Sequence, residues 1–299
     1  MPGARAAVAS VAAAIAASAL AACGPAASGA PGRVVSVVAA ENFWGSLASQ
    51  LGGAHASVTS VVTDPNADPH EYQASSATAR AFARADLVVV NGAGYDSWAQ
   101  RLLSGSSAPG RRVLDVARLV GVRVGQNPHL WYSPGFVERA IGAIEAAYES
   151  LDPADASYFA RRRAALEQAL VPWRQLVVRI RLRYAGQPVA STESIFVYLA
   201  RALGLDLVSP PAFMDAVAEG NDPPAASVAT FEQQLSTRRV RLLVYNTQTT
   251  TAITSTMEAL ARSRGVPVVG ISETVQPPGA SFQAWQARQL GAVLAALGG

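Results

Sequence analysis

Residues 34–51 read VVSVVAAENFWGSLASQL. The opening run, Val34-Val35-Ser36-Val37-Val38, is β-branched and predicts a strand. From Glu41 the apolar residues fall at Phe43, Trp44, Leu47 and Leu51, a helical period that Gly52-Gly53 stops. A strand that turns into a helix within a few residues is the start of a β-α unit. Val58–Val62 predicts a second strand. Residues 63–74 hold two prolines and no apolar period, which predicts a loop. A short helix over Ala77–Ala85 and a buried strand over Asp86–Val90 follow, closed by the turn Asn91-Gly92-Ala93-Gly94. Such β-α-β-α-β alternation folds as a parallel, doubly wound sheet.

The pattern changes at Ser133-Pro134. Pro134–Ser150 and then Asp152 to about Arg183 read as nearly continuous helix. Asp152 is expected as the N-cap and Pro153 as the first helical residue. Ala164, Leu166, Leu170, Leu176 and Ile180 supply an apolar face. Roughly 30 helical residues reach about 45 Å, the width of a domain, so this element reads as a rigid connector. Alternation then resumes. Strands are expected at 189–191, 205–208, 241–245 and 266–269, and helices at 194–203 (ending at Gly204), 227–235, 251–263 and 281–297. The fold class is therefore α/β, with two doubly wound lobes joined by one long helix. The expected lobes are residues 33–150 and 186–299, with the connector over 151–185.

The first 22 residues carry one charge, Arg5, followed by an apolar run from Ala6 to Ala22 of the length of a signal-peptide core. It ends in Leu20-Ala21-Ala22-Cys23, and Cys23 is the only cysteine of 299 residues. A lone cysteine forms no intrachain disulfide, and an exposed thiol is a liability outside the cytoplasm. The tetrad resembles the lipobox of bacterial lipoproteins, which implies acylation of Cys23. Residues 24–32 are small and rich in Pro and Gly, a tether. The expected order is a signal peptide over 1–22, a lipidated Cys23 and tether over 23–32, and a folded part from Arg33 on. The formal net charge of +3 comes with no basic stripe, which excludes a nucleic-acid footprint. Arg161-Arg162-Arg163 is expected to be a solvated helix face.

The chain has three histidines. Two of them end similar triplets, Asp68-Pro69-His70 and Asn127-Pro128-His129. A preceding proline holds the chain extended and keeps an imidazole on a loop. Loops at the carboxyl ends of strands are where open α/β sheets bind ligands, and neutral imidazole is the commonest metal ligand. His55 has no such context and is expected at the surface. In the second lobe Glu193 and Glu273 each sit where a strand hands over to a loop. Two carboxylates and a dication sum to zero charge, so such a site can be assembled in a buried cleft.

These segments resemble the substrate-binding lipoproteins of zinc and manganese ABC importers. The resemblance rests on the lipobox, Asp64-Pro65-Asn66-Ala67-Asp68-Pro69-His70-Glu71-Tyr72, Ala85–Gly92, Asn127-Pro128-His129-Leu130-Trp131, Leu151-Asp152-Pro153, Ser191–Tyr198 and Ser272-Glu273, in that order. It implies two lobes bridged by one long helix, with one divalent metal ion between them as cargo. The implied ligands are His70, His129, Glu193 and Glu273. It also implies an ABC permease as partner, membrane attachment through the lipid anchor, an extracytoplasmic location and a monomer. Zinc-binding members often carry His at the third position and Asp at the fourth, where this chain has Glu193 and Glu273. Residues 105–127 lack the His-rich loop of many zinc members. Manganese and zinc both suit the donor set, and Glu193 tilts the family pattern toward manganese. The rivals are a metal-dependent hydrolase and a metal-stabilised adhesin. The first lacks an H-E-x-x-H motif, and the second would unfold without metal. Glu71 and Asn127 are candidates to orient the imidazoles, and Trp98, Trp131, Phe196 and Tyr198 to shield the site.

Overall fold

The computed structural model describes Gly3 and residues 33–66, 69–106 and 108–298, with the backbone but not the side chain of His70. The expected signal peptide, Cys23 and the tether lie outside the described residues, Gly3 apart. Residues Gly32–Gly299 form one compact unit. Among the described residues no helix is long and apolar enough to cross a membrane.

The first lobe runs β1 (Val35–Glu41), α1 (Asn42–Gly52), β2 (Ala56–Val62), α2 (Ser76–Arg84), β3 (Leu87–Val90), α3 (Ser97–Gly105), β4 (Arg112–Asp115), α4 (Val116–Val120) and α5 (Pro134–Leu151). A 3-10 turn at Pro153–Asp155 leads into the connector, α6 (Ala156–Tyr184), of 29 residues. The second lobe runs β5 (Pro188–Ser191), α7 (Val197–Leu203), β6 (Asp206–Leu207), α8 (Pro211–Ala218), α9 (Ala225–Ser236), β7 (Leu243–Asn246), α10 (Ala252–Ser263), β8 (Val268–Ile271) and α11 (Phe282–Ala296).

Both sheets are parallel, and their orders, β2-β1-β3-β4 and β6-β5-β7-β8, have the same form. In each the chain goes from the first strand to one neighbour and then crosses to the other side. That reversal opens a crevice at the carboxyl ends of β1/β3 and of β5/β7. β1 and β3 are buried on both faces, as parallel strands under helices must be. Gly204, at φ 68°, ends α7 in the left-handed conformation that a side chain would disfavour.

The α/β class, the two parallel sheets and the long helix agree with the sequence reading. Four short elements were not foreseen. β4 is a half-exposed edge strand with charged ends, α3 is a nine-residue helix that begins straight after a turn, α4 has five residues directly after β4, and α8 starts at Pro210-Pro211. Two details of α6 differ from expectation. Ala164 is exposed, and the buried positions are Phe159, Leu166, Leu170, Trp173 and Ile180. The arginine run is not a free solvated face, because Arg162 Nε donates to Gln50 O at 2.8 Å and Arg163 pairs with Glu138, Glu145 and Glu167.

One apolar core runs through both lobes and the connector. A line of rings marks its path. Phe43 stacks on Trp131 with centroids 4.0 Å apart, Trp131 meets Tyr132, Tyr132 meets Trp285, Trp285 meets Phe282, and Phe282 meets Trp173 of α6 at 5.7 Å. α6 packs on α1 and α5 of the first lobe and on α7 and α11 of the second. It is thus glued to both lobes along its length and resists a wide hinge motion. Trp173 is the ring through which α6 joins this line, so Trp173→Ala should cost about 3–5 kcal/mol of stability in urea unfolding. A loss below about 1 kcal/mol would show that the connector is not part of the shared core.

Candidate metal centre

The carboxyl edges of the two sheets face each other, and polar side chains gather between them. His129 follows the loop after α4. Its imidazole is buried, and Asn127 holds it twice, with Oδ1 accepting the His129 backbone N–H at 3.0 Å and contacting Nδ1 at 2.8 Å. That contact leaves Nε2 as the nitrogen turned to the other lobe. Nε2 lies 3.2 Å from Glu193 Oε1. Asn127 is itself clamped across the cleft, donating to Ser194 O at 2.6 Å and accepting from Tyr198 at 3.0 Å. The loop is fixed from below by Asn91, which directly follows β3 and donates to Pro128 O at 2.9 Å.

Glu193 and Glu273 come from the loops after β5 and β8, and both are fully buried. Asn246, the last residue of β7, donates through one nitrogen to Glu193 Oε2 and to Glu273 Oε1, at 2.6 Å each. Tyr95 donates from the first lobe to Glu273 Oε2 at 2.5 Å. Gln248 Oε1 accepts the backbone N–H groups of Glu273 and Thr274 at 2.9 Å each, which fixes the loop itself. Ligand atoms of His129, Glu193 and Glu273 all lie within 4.8 Å of one another. Two carboxylates and an imidazole at that spacing, from two lobes, form a hard-to-borderline N/O donor set for a divalent ion.

The structure thus brings three of the four expected residues together. The fourth, His70, lies in the 3-10 turn Pro69–Glu71, and its side chain is outside the described residues. Asn127 orients His129 as its adjacency suggested, whereas Glu71 is exposed. Of the candidate shielding rings, Trp131 stands edge-on to His129 at 5.3 Å and Tyr198 caps Asn127, but Trp98 belongs to a separate core with Phe82. Sequence reasoning missed Tyr95, Asn246 and Gln248. Asn246 carried a readable signal, a polar residue ending an otherwise apolar strand at its carboxyl end.

The rim contains a second pair of buried carboxyls. Asp96 accepts the backbone N–H groups of Asn91 and Gly92 at 2.6 and 2.9 Å and so sets the turn that carries Asn91. Burial pushes its pKa up to about 6 despite those bonds. Burial, and then the Asp96 charge, raises Glu41 well above the usual carboxylate range. The Tyr132 hydroxyl is raised by burial and by the Glu273 and Glu193 charges, and donates to Ser272 O at 2.7 Å.

The family model described as zinc-uptake complex component A, periplasmic, matches residues 37–296. The chain belongs to this family. It is 26% identical over 185 residues, 59% of this chain, to the manganese-binding lipoprotein MntA of Halalkalibacterium halodurans. It is 25% identical over 183 residues, 58% of this chain, to a putative metal-binding protein of Thermotoga maritima. These matches span 60% and 63% of the relatives' own lengths. Among solved structures, the periplasmic zinc-binding protein TroA of Treponema pallidum superposes with a TM-score of 0.73 at 17% identity, covering 89% of this chain and 99% of that one. The cadmium-bound periplasmic metal-binding protein of Candidatus Liberibacter asiaticus gives 0.72 at 17%, with 88% and 99% covered. At such identities the likeness speaks for the fold.

Asp96 yields a pH test. Its folded pKa, about 6, lies above the unfolded value near 3.9. The folded state therefore binds more protons between these values, and the contribution of Asp96 to stability falls as pH rises from about 4 to 6. The stability difference between the wild type and Asp96→Asn should shift against the wild type over that range in thermal unfolding. A shift in its favour would contradict the raised pKa.

Proposed function

We propose that the chain is an extracytoplasmic solute-binding protein that captures one divalent transition metal ion between its lobes and hands it to the permease of an ABC importer. In this reading His129 of the first lobe and Glu193 and Glu273 of the second hold the ion, and His70 supplies the fourth donor from its Pro-His turn. The observation that carries the reading is the convergence of three buried donors from opposite lobes on one point. The family assignment and the metal-binding relatives support it. The ion is cargo, and manganese and zinc are its candidates. Zinc is favoured by intrinsic affinity, and manganese by Glu193 at the third position and by the name of the Halalkalibacterium relative. Cys23 carries the lipid that tethers the monomer to the membrane.

The division of labour among the side chains follows from their bonds. Asn127 keeps His129 Nδ1 engaged, so Nε2 presents its lone pair. Asn246 and Tyr95 hold the two carboxylates in place, and Glu193 keeps Oε1 toward the imidazole at 3.2 Å. A dication there neutralises two buried negative charges, which is what draws the ion in. Because α6 and the ring line couple the lobes, release should proceed by small lobe shifts and loop rearrangement rather than by a wide opening.

Calorimetric titration of the full chain with Mn2+ and Zn2+ tests the reading. Tight one-to-one binding at this site should fall at least 100-fold in His129→Ala and Glu273→Ala, with circular dichroism unchanged in the metal-stripped protein. Asn246→Ala touches no metal in this reading and should lose about 10–100-fold through disordered carboxylates. Tight binding that keeps its affinity in both ligand substitutions would refute the site. A stripped protein that unfolds would instead fit a metal-stabilised structural role.

A further inference from the structure

A second group of donors lies outside the cleft. His55 was expected at the surface without a role. It is half-buried, its ring stacks on Tyr158 at 3.9 Å and 16°, and its Nδ1 lies 2.5 Å from Asp155 Oδ2. Asp152 was expected to cap the connector helix. It makes no side-chain capping bond, because the chain passes through the 3-10 turn Pro153–Asp155 before α6 begins. Asp152 is only 7% exposed, and its Oδ2 is buried without a hydrogen-bond partner. A carboxylate oxygen taken from water without a donor is costly. Asp152 nevertheless points into the group, since ligand atoms of His55, Asp152 and Asp155 all lie within 4.8 Å of one another.

We propose that His55, Asp152 and Asp155 form a second divalent metal site, separate from the cargo site, that ties the end of α1 to the start of the connector helix. One imidazole and two carboxylates suit zinc better than calcium or magnesium, which prefer all-oxygen shells. The charges sum to zero with a dication and a neutral imidazole. The His55 and Asp155 side chains are 27% and 24% exposed, so water reaches the open side and completes the coordination shell. The geometry is that of an open three-ligand site. Tyr158 backs the imidazole, and its hydroxyl accepts the Ala54 backbone N–H at 2.8 Å, so the residue before His55 is pinned as well. A metal here strengthens the joint between the first lobe and α6 without touching the cleft.

Calorimetric titration of the full chain with ZnCl2 tests this. The wild type should bind two equivalents. His55→Gln and Asp152→Asn should each lose the weaker event and keep the tighter one with its affinity unchanged. Excess Zn2+ should raise the thermal midpoint of the wild type above that at one equivalent, and this second rise should vanish in both variants. If Asp152→Asn disturbs the start of α6, seen by circular dichroism, His55→Gln carries the test. A wild type that binds a single equivalent which His55→Gln leaves intact, or a second event that survives His55→Gln, would overturn the proposal.

Discussion

Two fully buried glutamates share one amide. Asn246 donates to Glu193 and to Glu273 at 2.6 Å each, and the rest of the cleft is arranged around that bridge. Without a donor between them the two carboxylates would repel at short range in a low-dielectric interior. With it they are held as one bidirectional pair, their remaining oxygens turned toward the first lobe. Tyr95 fixes the second oxygen of Glu273, and Glu193 Oε1 faces His129. The bridge and the Tyr95 bond hold both carboxylates in fixed positions at the mouth of the first lobe.

The position of Asn246 follows from topology. It ends β7, the strand beside the first strand of its sheet, at the point where the strand order reverses. Asn91 follows β3, the equivalent strand of the other sheet, and anchors the His129 loop through Pro128 O. Each lobe thus places an asparagine at its own switch point, and each asparagine holds cleft residues of its own side. The lobes are then locked to each other by bonds that cross the cleft, Asn127 to Ser194, Tyr132 to Ser272 and Asn42 to Val275, above a continuous aromatic core. The packed connector and the polar seam hold the two lobes in one arrangement.

Much of this was legible in the sequence because the signals were local. A β-branched run followed by a helical period fixes a β-α unit, and its repetition on either side of a 29-residue helix fixes two lobes. Pro-His and strand-terminal Glu mark loop residues, so His129, Glu193 and Glu273 could be singled out. Their supporting shell could not be read in the same way. Tyr95, Asn246 and Gln248 matter through partners 25 to 178 residues away, and sequence spacing does not encode such pairings. Asp152 shows the opposite failure. Its Asp-Pro signature is a strong capping signal, yet an intervening 3-10 turn carries its carboxylate away from the helix end and toward His55. The edge strand β4 escaped notice because partial exposure erases the apolar run that identifies a buried strand.

The most direct test of the central claim is an anomalous-scattering crystal structure of the zinc-loaded chain at the zinc absorption edge. A strong peak at about 2.0–2.2 Å from His129 Nε2 and from carboxylate oxygens of both Glu193 and Glu273 is the predicted result. A fully occupied zinc ion bound elsewhere, with His129 still against Glu193 and the cleft empty, would contradict the account.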